Sequence, residues 1–133
     1  MLAFALAVLL LAAGEPAPAP RLAAMADAAW RKLTPEAAKG PEVATVHAGP
    51  ALSQTLLRLA KDTVLPPGSH ERDATLVLLE GELTIESSGK TFALTRGSLL
   101  ELPAGTAYKG RTKWDKPALA LVTLAGPWSR SVP

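Results

Sequence analysis

Few side chains in this sequence are equipped for chemistry, and they lie in two short stretches. His70 is one of two histidines and is followed by Asp73, while Tyr108 is the single tyrosine and is followed by Lys109 and Arg111. An imidazole can serve as a general base and a phenol as a general acid. Nearby cations can orient a small anion or a hydroxylated ligand. We therefore take these residues as candidates for a ligand-binding or catalytic site.

The cations after Tyr108 also allow a plainer interpretation. Lys109, Arg111 and Lys113 form a short charge cluster, and most clusters of this kind are the solvated face of a loop. Both interpretations stay open on the sequence alone.

Composition excludes several classes of function. The chain has 133 residues and a formal net charge of +2, and its basic residues are spread along it, whereas nucleic-acid binding needs clustered Lys and Arg. The absence of cysteine rules out disulfides, thiolate metal sites and cysteine nucleophiles. The length and the 48% hydrophobic content suit one domain with one core. No nucleophile with a partner base and no phosphate-binding loop stands out.

The first residues have the character of an export signal. Residues 2–13 are an unbroken apolar run that would span only ~18 Å as a helix, against ~30 Å for a bilayer core. Small residues favour cleavage after Gly14, so residues 1–14 are predicted to be a signal peptide. The expected product is periplasmic or secreted, without stable membrane insertion. An uncleaved anchor or a misassigned start codon is the alternative, because no Lys or Arg precedes the run.

Residues 15–41 are predicted to form a linker and an N-terminal amphipathic helix. Thr34, Pro35 and Glu36 then resemble the start of a further short turn that ends near Gly40. The apolar stripe of the helix is expected to pack on the rest of the domain, with a partner groove or a membrane surface as alternatives. The stripe has helical spacing and consists of Leu22, Met25, Ala26, Ala29, Trp30 and Leu33.

Residues 42–128 show the shorter period of β-strands. Short segments rich in apolar and β-branched residues are separated by Pro, Gly, Ser or Asp, which predicts an all-β sandwich or barrel. Ser87, Ser88 and Gly89 form the clearest hairpin turn, and Gly81 is expected where a strand turns a corner. The predicted strands are residues 43–47, 55–60, 75–79, 82–86, 90–94, 98–102 and 118–124.

Three stretches of this region, residues 65–70, 76–83 and 97–105, resemble the two signature motifs of the cupin superfamily. His70 and Gly81 match the first motif, and Gly97, Pro103 and Gly105 match the second without a gap. The resemblance covers roughly residues 54–124. It implies a double-stranded β-helix, or jelly-roll barrel, like that of small single-domain bacterial cupins.

The resemblance also shows what is missing. Cupin metals are usually held by three histidines and one glutamate, whose positions here are occupied by Gly68, His70, Ala74 and Tyr108. One imidazole cannot define a selective transition-metal site, so no cofactor is predicted. A divalent metal would need a rebuilt site, for which His70 and Asp73 are the candidates. Asp73 precedes Ala74 by one position, so in a strand it would point to the opposite face.

His47 is a further candidate ligand for such a rebuilt site. His47 would enter the barrel only if the first strand pairs in a favourable register. Trp114 and Trp128 are expected to act as lids or edge packing.

Two classes of function follow from the resemblance, which places His70 and Tyr108 inside the barrel. The first, which we favour, is a non-catalytic exported barrel that binds or senses a small molecule, with His70, Tyr108 and Arg111 as ligand-binding residues. The second is a cupin enzyme of the isomerase or oxygenase type. It would use a rebuilt metal site, or His70 as base and Tyr108 as acid with a substrate in a gap between them. A homodimer formed through an edge strand is a further expectation.

The resemblance to cupins leads to two further expectations about the site. Gly68 and Ala74, in place of larger ligands, are expected to enlarge the cavity. If no ligand binds, His70 would be a barrel-mouth histidine bonded to a carboxylate or a carbonyl.

Overall fold

The structure is a computed structural model that describes residues 19–22, 24–34 and 40–132. The expected signal peptide and the expected turn at residues 35–39 lie outside the described residues. Within these residues the secondary structure is one turn of 3-10 helix and ten strands. The turn is Met25–Asp27, and the strands are β1 (Arg31–Lys32), β2 (Glu42–Ala48), β3 (Ser53–Leu59), β4 (Val64–Gly68), β5 (Ala74–Gly81), β6 (Leu83–Ser87), β7 (Lys90–Leu94), β8 (Leu99–Leu102), β9 (Tyr108–Arg111) and β10 (Ala118–Leu124).

The strands form two antiparallel sheets that enclose the core. The larger sheet has six strands in the order β1-β2-β3-β10-β5-β8, and the smaller has four in the order β4-β9-β6-β7. The all-β prediction and the jelly-roll architecture are confirmed. Among the described residues, no helix is both long and apolar enough to cross a membrane.

The core is built from the inward positions of alternating strands. β5 and β10 alternate buried and half-buried residues along most of their length, as expected for strands that line a barrel. Leu76, Leu78, Leu100 and Leu102 are buried in the barrel interior. The core cluster also includes Tyr108, which comes from the smaller sheet.

Two glycine-containing turns behave as the sequence predicts. Gly81 has a φ of 82°, and a β-carbon there would overlap the carbonyl oxygen of Pro117, so only glycine fits. Ser87 pairs with Lys90 across the β6–β7 hairpin, and Ser88 and Gly89 both have positive φ. That combination is typical of a two-residue type I′ turn.

Two strands were missed because their sequences contradict strand propensity. β4 contains Pro66 and Pro67, but it is an edge strand, where a missing N–H is tolerated. β9 contains Gly110, where a β-carbon would lie 2.9 Å from the carbonyl oxygen of Thr84. Glycine is therefore needed at this position because the two chains approach closely.

The predicted N-terminal helix is wrong. In the described part of residues 15–41, only Met25–Asp27 forms a helical turn, and Arg31 and Lys32 pair with β2 as an edge strand. Leu22 and Met25 remain largely exposed, while Leu33 packs against the core. An isolated helix of about 12 residues is marginal in water, and Ala24 offers no side-chain cap. Pairing with the free edge of β2 instead satisfies the backbone hydrogen bonds.

Candidate functional site

The site lies where β4 ends and β9 begins. Gly68 pairs with Tyr108 across these two strands, and His70 follows in the connection to β5. Side chains alternate along β9, so Tyr108 and Gly110 are buried while Lys109 and Arg111 are exposed. The register therefore directs the phenol of Tyr108 into the barrel beside His70.

His70 and Tyr108 contact each other directly. The Nε2 atom of His70 lies 2.7 Å from the hydroxyl oxygen of Tyr108, and each residue is only 2% exposed. The Nδ1 atom of His70 lies 2.5 Å from the carbonyl oxygen of Ser129. A carbonyl can only accept, so Nδ1 carries a proton; because the pKa of His70 is lowered by burial, the ring is neutral near pH 7 and its Nε2 accepts from the tyrosine hydroxyl. His70 is thus a neutral imidazole bonded to a carbonyl, which is the ligand-free arrangement stated above.

The carboxyl-terminal residues 126–132, here called the strap, close this end of the barrel. Ser69 and Ser131 exchange two backbone hydrogen bonds of 2.9 and 2.8 Å. The ring of Trp128 lies 5.5 Å from the ring of His70, centroid to centroid, and packs against the core. Trp128 is therefore part of the edge packing, whereas Trp114 is 78% exposed.

Arg130 of the strap fills the space beside Gly68. A β-carbon built at Gly68 would lie 2.5 Å from Nη1 of Arg130. The Nη2 atom donates to the carbonyl of Pro66 at 2.6 Å, and Nε donates to the hydroxyl of Tyr108 at 3.3 Å. The expected enlargement of the cavity is therefore wrong at Gly68, because the guanidinium occupies that volume.

These contacts form one directed chain of hydrogen bonds. Arg130 donates to Tyr108, Tyr108 donates to His70, and His70 donates to the carbonyl of Ser129. This series of hydrogen bonds begins and ends in the strap, and it therefore attaches the strap to the barrel. Arg130 could not be predicted as a site residue from the sequence, because nothing in the local pattern of residues 126–132 indicates where its side chain packs.

Burial shifts the pKa values of both His70 and Tyr108 away from neutral pH. Burial lowers the pKa of His70, the hydrogen bond to the Ser129 carbonyl opposes this effect, and the charge of Arg130 adds to it. Burial raises the pKa of Tyr108, partly offset by the charge of Arg130 and its hydrogen bond. Near pH 7 the pair is therefore a neutral imidazole and a neutral phenol.

The other cations lie away from this pair. Arg111 is exposed on the outer face of the smaller sheet, so the structure does not bring it together with His70 and Tyr108. Lys109 pairs with Glu86 at 3.5 Å and Lys113 with Glu82 at 2.6 Å, both at the surface. The hydrogen bond from Lys113 lowers the pKa of Glu82. This arrangement is a solvated charged face.

Asp73 and His47 are also outside the barrel interior. Asp73 is exposed, and its Oδ1 accepts from the backbone N–H of Ala104 at 2.9 Å, which holds the turn after Pro103. His47 is exposed at the end of β2, after an irregularity in the pairing with β3. Neither side chain approaches His70 to rebuild a ligand set.

The residues present do not fit the metal that the cupin resemblance implies. Both ring nitrogens of His70 are engaged, and a permanent guanidinium cation lies beside Gly68. Gly68 and Ala74 have no donor atoms. Within the described part of the chain, no group of three or more His, Cys, Asp or Glu residues could hold a metal ion. The donor set that a cupin metal needs is therefore not present among the described residues.

Two sheets closed over an apolar core, with a histidine and a tyrosine at one mouth, define a jelly-roll barrel of the cupin type. The family described as Cupin domain matches residues 55–124, more than half of the chain. The chain belongs to the cupin family. The comparison with curated proteins found no match.

Solved structures share the fold at low sequence identity. The polyketide cyclase RemF from Streptomyces resistomycificus matches with a TM-score of 0.70 and 17% identity, over 84% of this chain and 82% of that one. An RmlC-like cupin from Shewanella frigidimarina matches at 0.68 and 13%, over 83% and 93%. The DMSP lyase DddQ from Ruegeria pomeroyi matches at 0.70 and 20%, over 80% and 61%. Identities this low establish the fold alone.

Proposed function

We propose that this chain is an exported cupin that binds a small molecule at the His70–Tyr108 end of the barrel, without a resident metal and without catalysis. The observation that carries the proposal is the direct 2.7 Å hydrogen bond between Nε2 of His70 and the hydroxyl of Tyr108. In the arrangement described, no gap separates this base from this acid, so no substrate fits between them. Binding requires the strap to move, and a ligand would then replace contacts that the strap now makes.

The charge states of the pair support binding over catalysis. A lowered pKa makes His70 a weaker base, and a raised pKa makes Tyr108 a weaker acid. General acid–base catalysis is most effective when the pKa of the group is close to the working pH. Both shifts therefore oppose the alternative function, an isomerase-type enzyme that uses this pair.

The barrel interior offers further polar groups to a ligand. The hydroxyls of Ser53 and Thr55 are buried and have no hydrogen-bond partner among the described residues. Both lie on the inward face of β3, which also presents Leu57 and Leu59 to the core. An unpaired buried hydroxyl is destabilising, so a bound polar molecule that pairs with it would be favoured.

Elemental analysis of protein isolated from the periplasm or the medium tests the proposal. We expect well under one transition metal per chain, and the same thermal midpoint with and without a chelator. His70→Ala should lower that midpoint equally in both conditions, with exposed His47→Ala as the matched control. Tightly held zinc, iron or manganese that disappears in the His70 variant would overturn the proposal and favour a metal-dependent enzyme.

A further inference from the structure

We propose that the barrel mouth is a guanidinium-binding site, which Arg130 occupies within the chain and which a small molecule bearing a guanidinium group takes when the strap moves. This inference rests on the proposed function and deepens it by naming the class of ligand. It replaces the small anion or hydroxylated ligand that the sequence suggested.

The guanidinium of Arg130 is surrounded by hydrogen-bond acceptors. Nη2 donates to the carbonyl of Pro66 at 2.6 Å and lies 3.4 Å from the carbonyl of Tyr108, while Nε donates to the tyrosine hydroxyl at 3.3 Å. The guanidinium carbon also lies 4.8 Å from the centroid of the Tyr108 ring. Carbonyl oxygens and the face of an aromatic ring are groups that attract a planar cation. The carbonyls of Pro66 and Tyr108 and the phenol ring of Tyr108, here called the cradle, therefore form a site that recognises a cation.

The cradle holds the guanidinium of Arg130 without a carboxylate partner. No carboxylate among the described residues pairs with Arg130, whose side chain is half-buried. A guanidinium is more weakly hydrated than an ammonium, so it loses less hydration free energy when carbonyls and an aromatic ring replace its water. We therefore expect the site to prefer a guanidinium over an ammonium of similar size.

The shape of the cradle depends on Gly68. A β-carbon at this position would lie 2.5 Å from Nη1 and 2.6 Å from the guanidinium carbon of Arg130. The φ of Gly68 is outside the left-handed region, so the backbone itself does not demand glycine. The absence of a side chain at Gly68 instead leaves the space that the guanidinium occupies.

The strap can move only if a small set of polar contacts and the packing of Trp128 against the core are broken. Its polar attachments to the barrel are the Ser69–Ser131 pair, the bond from His70 to Ser129 and those of Arg130. Val132 at its end is 72% exposed. A tethered group competes at an effective concentration of about millimolar or higher. An external guanidinium should therefore bind weakly to the intact chain and more tightly once Arg130 is removed.

Chemical rescue tests this inference on the chain that lacks only the predicted signal peptide, residues 1–14. Arg130→Ala should lower the thermal midpoint, and ethylguanidinium at millimolar concentration should restore part of the loss in a saturable way. Ethylammonium and neutral N-ethylurea are the matched probes and should restore less. NMR titration should show about tenfold tighter binding of ethylguanidinium to Arg130→Ala than to the unchanged chain. In the double variant Gly68→Ala, Arg130→Ala, this rescue should disappear, because the added methyl group fills the cradle.

Equal effects of the three probes on Arg130→Ala, or equal rescue of the double variant, would overturn the inference. If Arg130→Ala does not fold, Gly68→Ala in the unchanged chain provides the test. It should expel the guanidinium and increase amide exchange of Ser131 at least tenfold, whereas unchanged exchange would contradict the site. A chelator-sensitive metal would overturn the proposed function, while failure of rescue in a metal-free protein would overturn only the ligand class.

Discussion

The imidazole of His70 and the phenol of Tyr108 form a buried hydrogen bond of 2.7 Å although they are 38 positions apart in the chain. Each group also has a second partner in the strap, Ser129 for the imidazole and Arg130 for the phenol. The pair therefore couples the closure of the barrel mouth to the packing of the core. This coupling leads to the first two predictions.

Tyr108→Phe should destabilise the protein by about 1–3 kcal/mol, because it leaves Nε2 of His70 buried without a donor. The measurement is urea unfolding at neutral pH. Ser87→Ala is a suitable control, since it also removes a hydroxyl that donates a hydrogen bond, in this case an exposed one to the backbone carbonyl of Ala107. A phenylalanine variant that loses no more stability than this control would contradict a buried, coupled pair.

The free energy of unfolding should decrease as the pH falls below about 6.5. Burial lowers the pKa of His70 in the folded protein, so the unfolded chain binds this proton first. The stabilisation is therefore complete above the ordinary pKa and is lost between that value and the lower pKa of the folded state. The slope should be at most about 1.4 kcal/mol per pH unit.

Urea unfolding between about pH 5 and pH 8 measures this slope. His70→Gln should flatten it in that range, while His47→Gln, which changes an exposed histidine, should leave it unchanged. The same slope in both variants would show that His70 is not the group responsible.

Leu78→Ala should cost about 2–5 kcal/mol, because Leu78 is fully buried in the barrel and its truncation leaves a cavity. Leu99→Ala provides the matched control, since Leu99 is 58% exposed on β8. Chemical unfolding of both variants at the same pH gives the comparison. Similar losses from the two would contradict the inward orientation of Leu78.

Gly81→Ala should be much more destabilising than Gly97→Ala. Both glycines have positive φ, 82° and 88°, so both variants carry backbone strain of about 1 kcal/mol or more. Only at Gly81 does the added methyl group also overlap the carbonyl of Pro117. Thermal unfolding of the two variants isolates the effect of that overlap, and equal midpoints would argue against the tight corner between β5 and β10.

Expression with the native amino terminus should yield a chain that begins near Glu15 in the periplasm or the medium. The reason is the apolar run of residues 2–13, which has the length of a signal-peptide core. Mass spectrometry of the recovered protein identifies the first residue. Recovery of only the full-length chain, in the membrane fraction, would contradict export.

Local sequence patterns were sufficient for most of the barrel. Apolar alternation identified β5, β7 and β10, and glycines marked the corner at Gly81 and the hairpin before Lys90. These features depend on neighbouring residues, because side-chain alternation and positive φ are properties of a few consecutive positions. The resemblance to cupins also implied that positions 70 and 108 lie inside the same barrel, and both side chains are buried there.

Tertiary structure decided the features that depend on distant partners. The helix predicted at residues 22–33 gave way to β1, because the free edge of β2 supplied backbone partners that a short helix lacks. The two prolines of β4 disfavour a strand, and only the pairing shows that β4 is an edge strand, where they are tolerated.

The same limit applies to the site. The sequence by itself determined which metal ligands are missing, since residue types at known positions suffice for that. Only the structure placed Arg130 of the strap in the space beside Gly68, because a contact across 62 positions (130 − 68) is set by how the whole barrel packs and not by any local pattern.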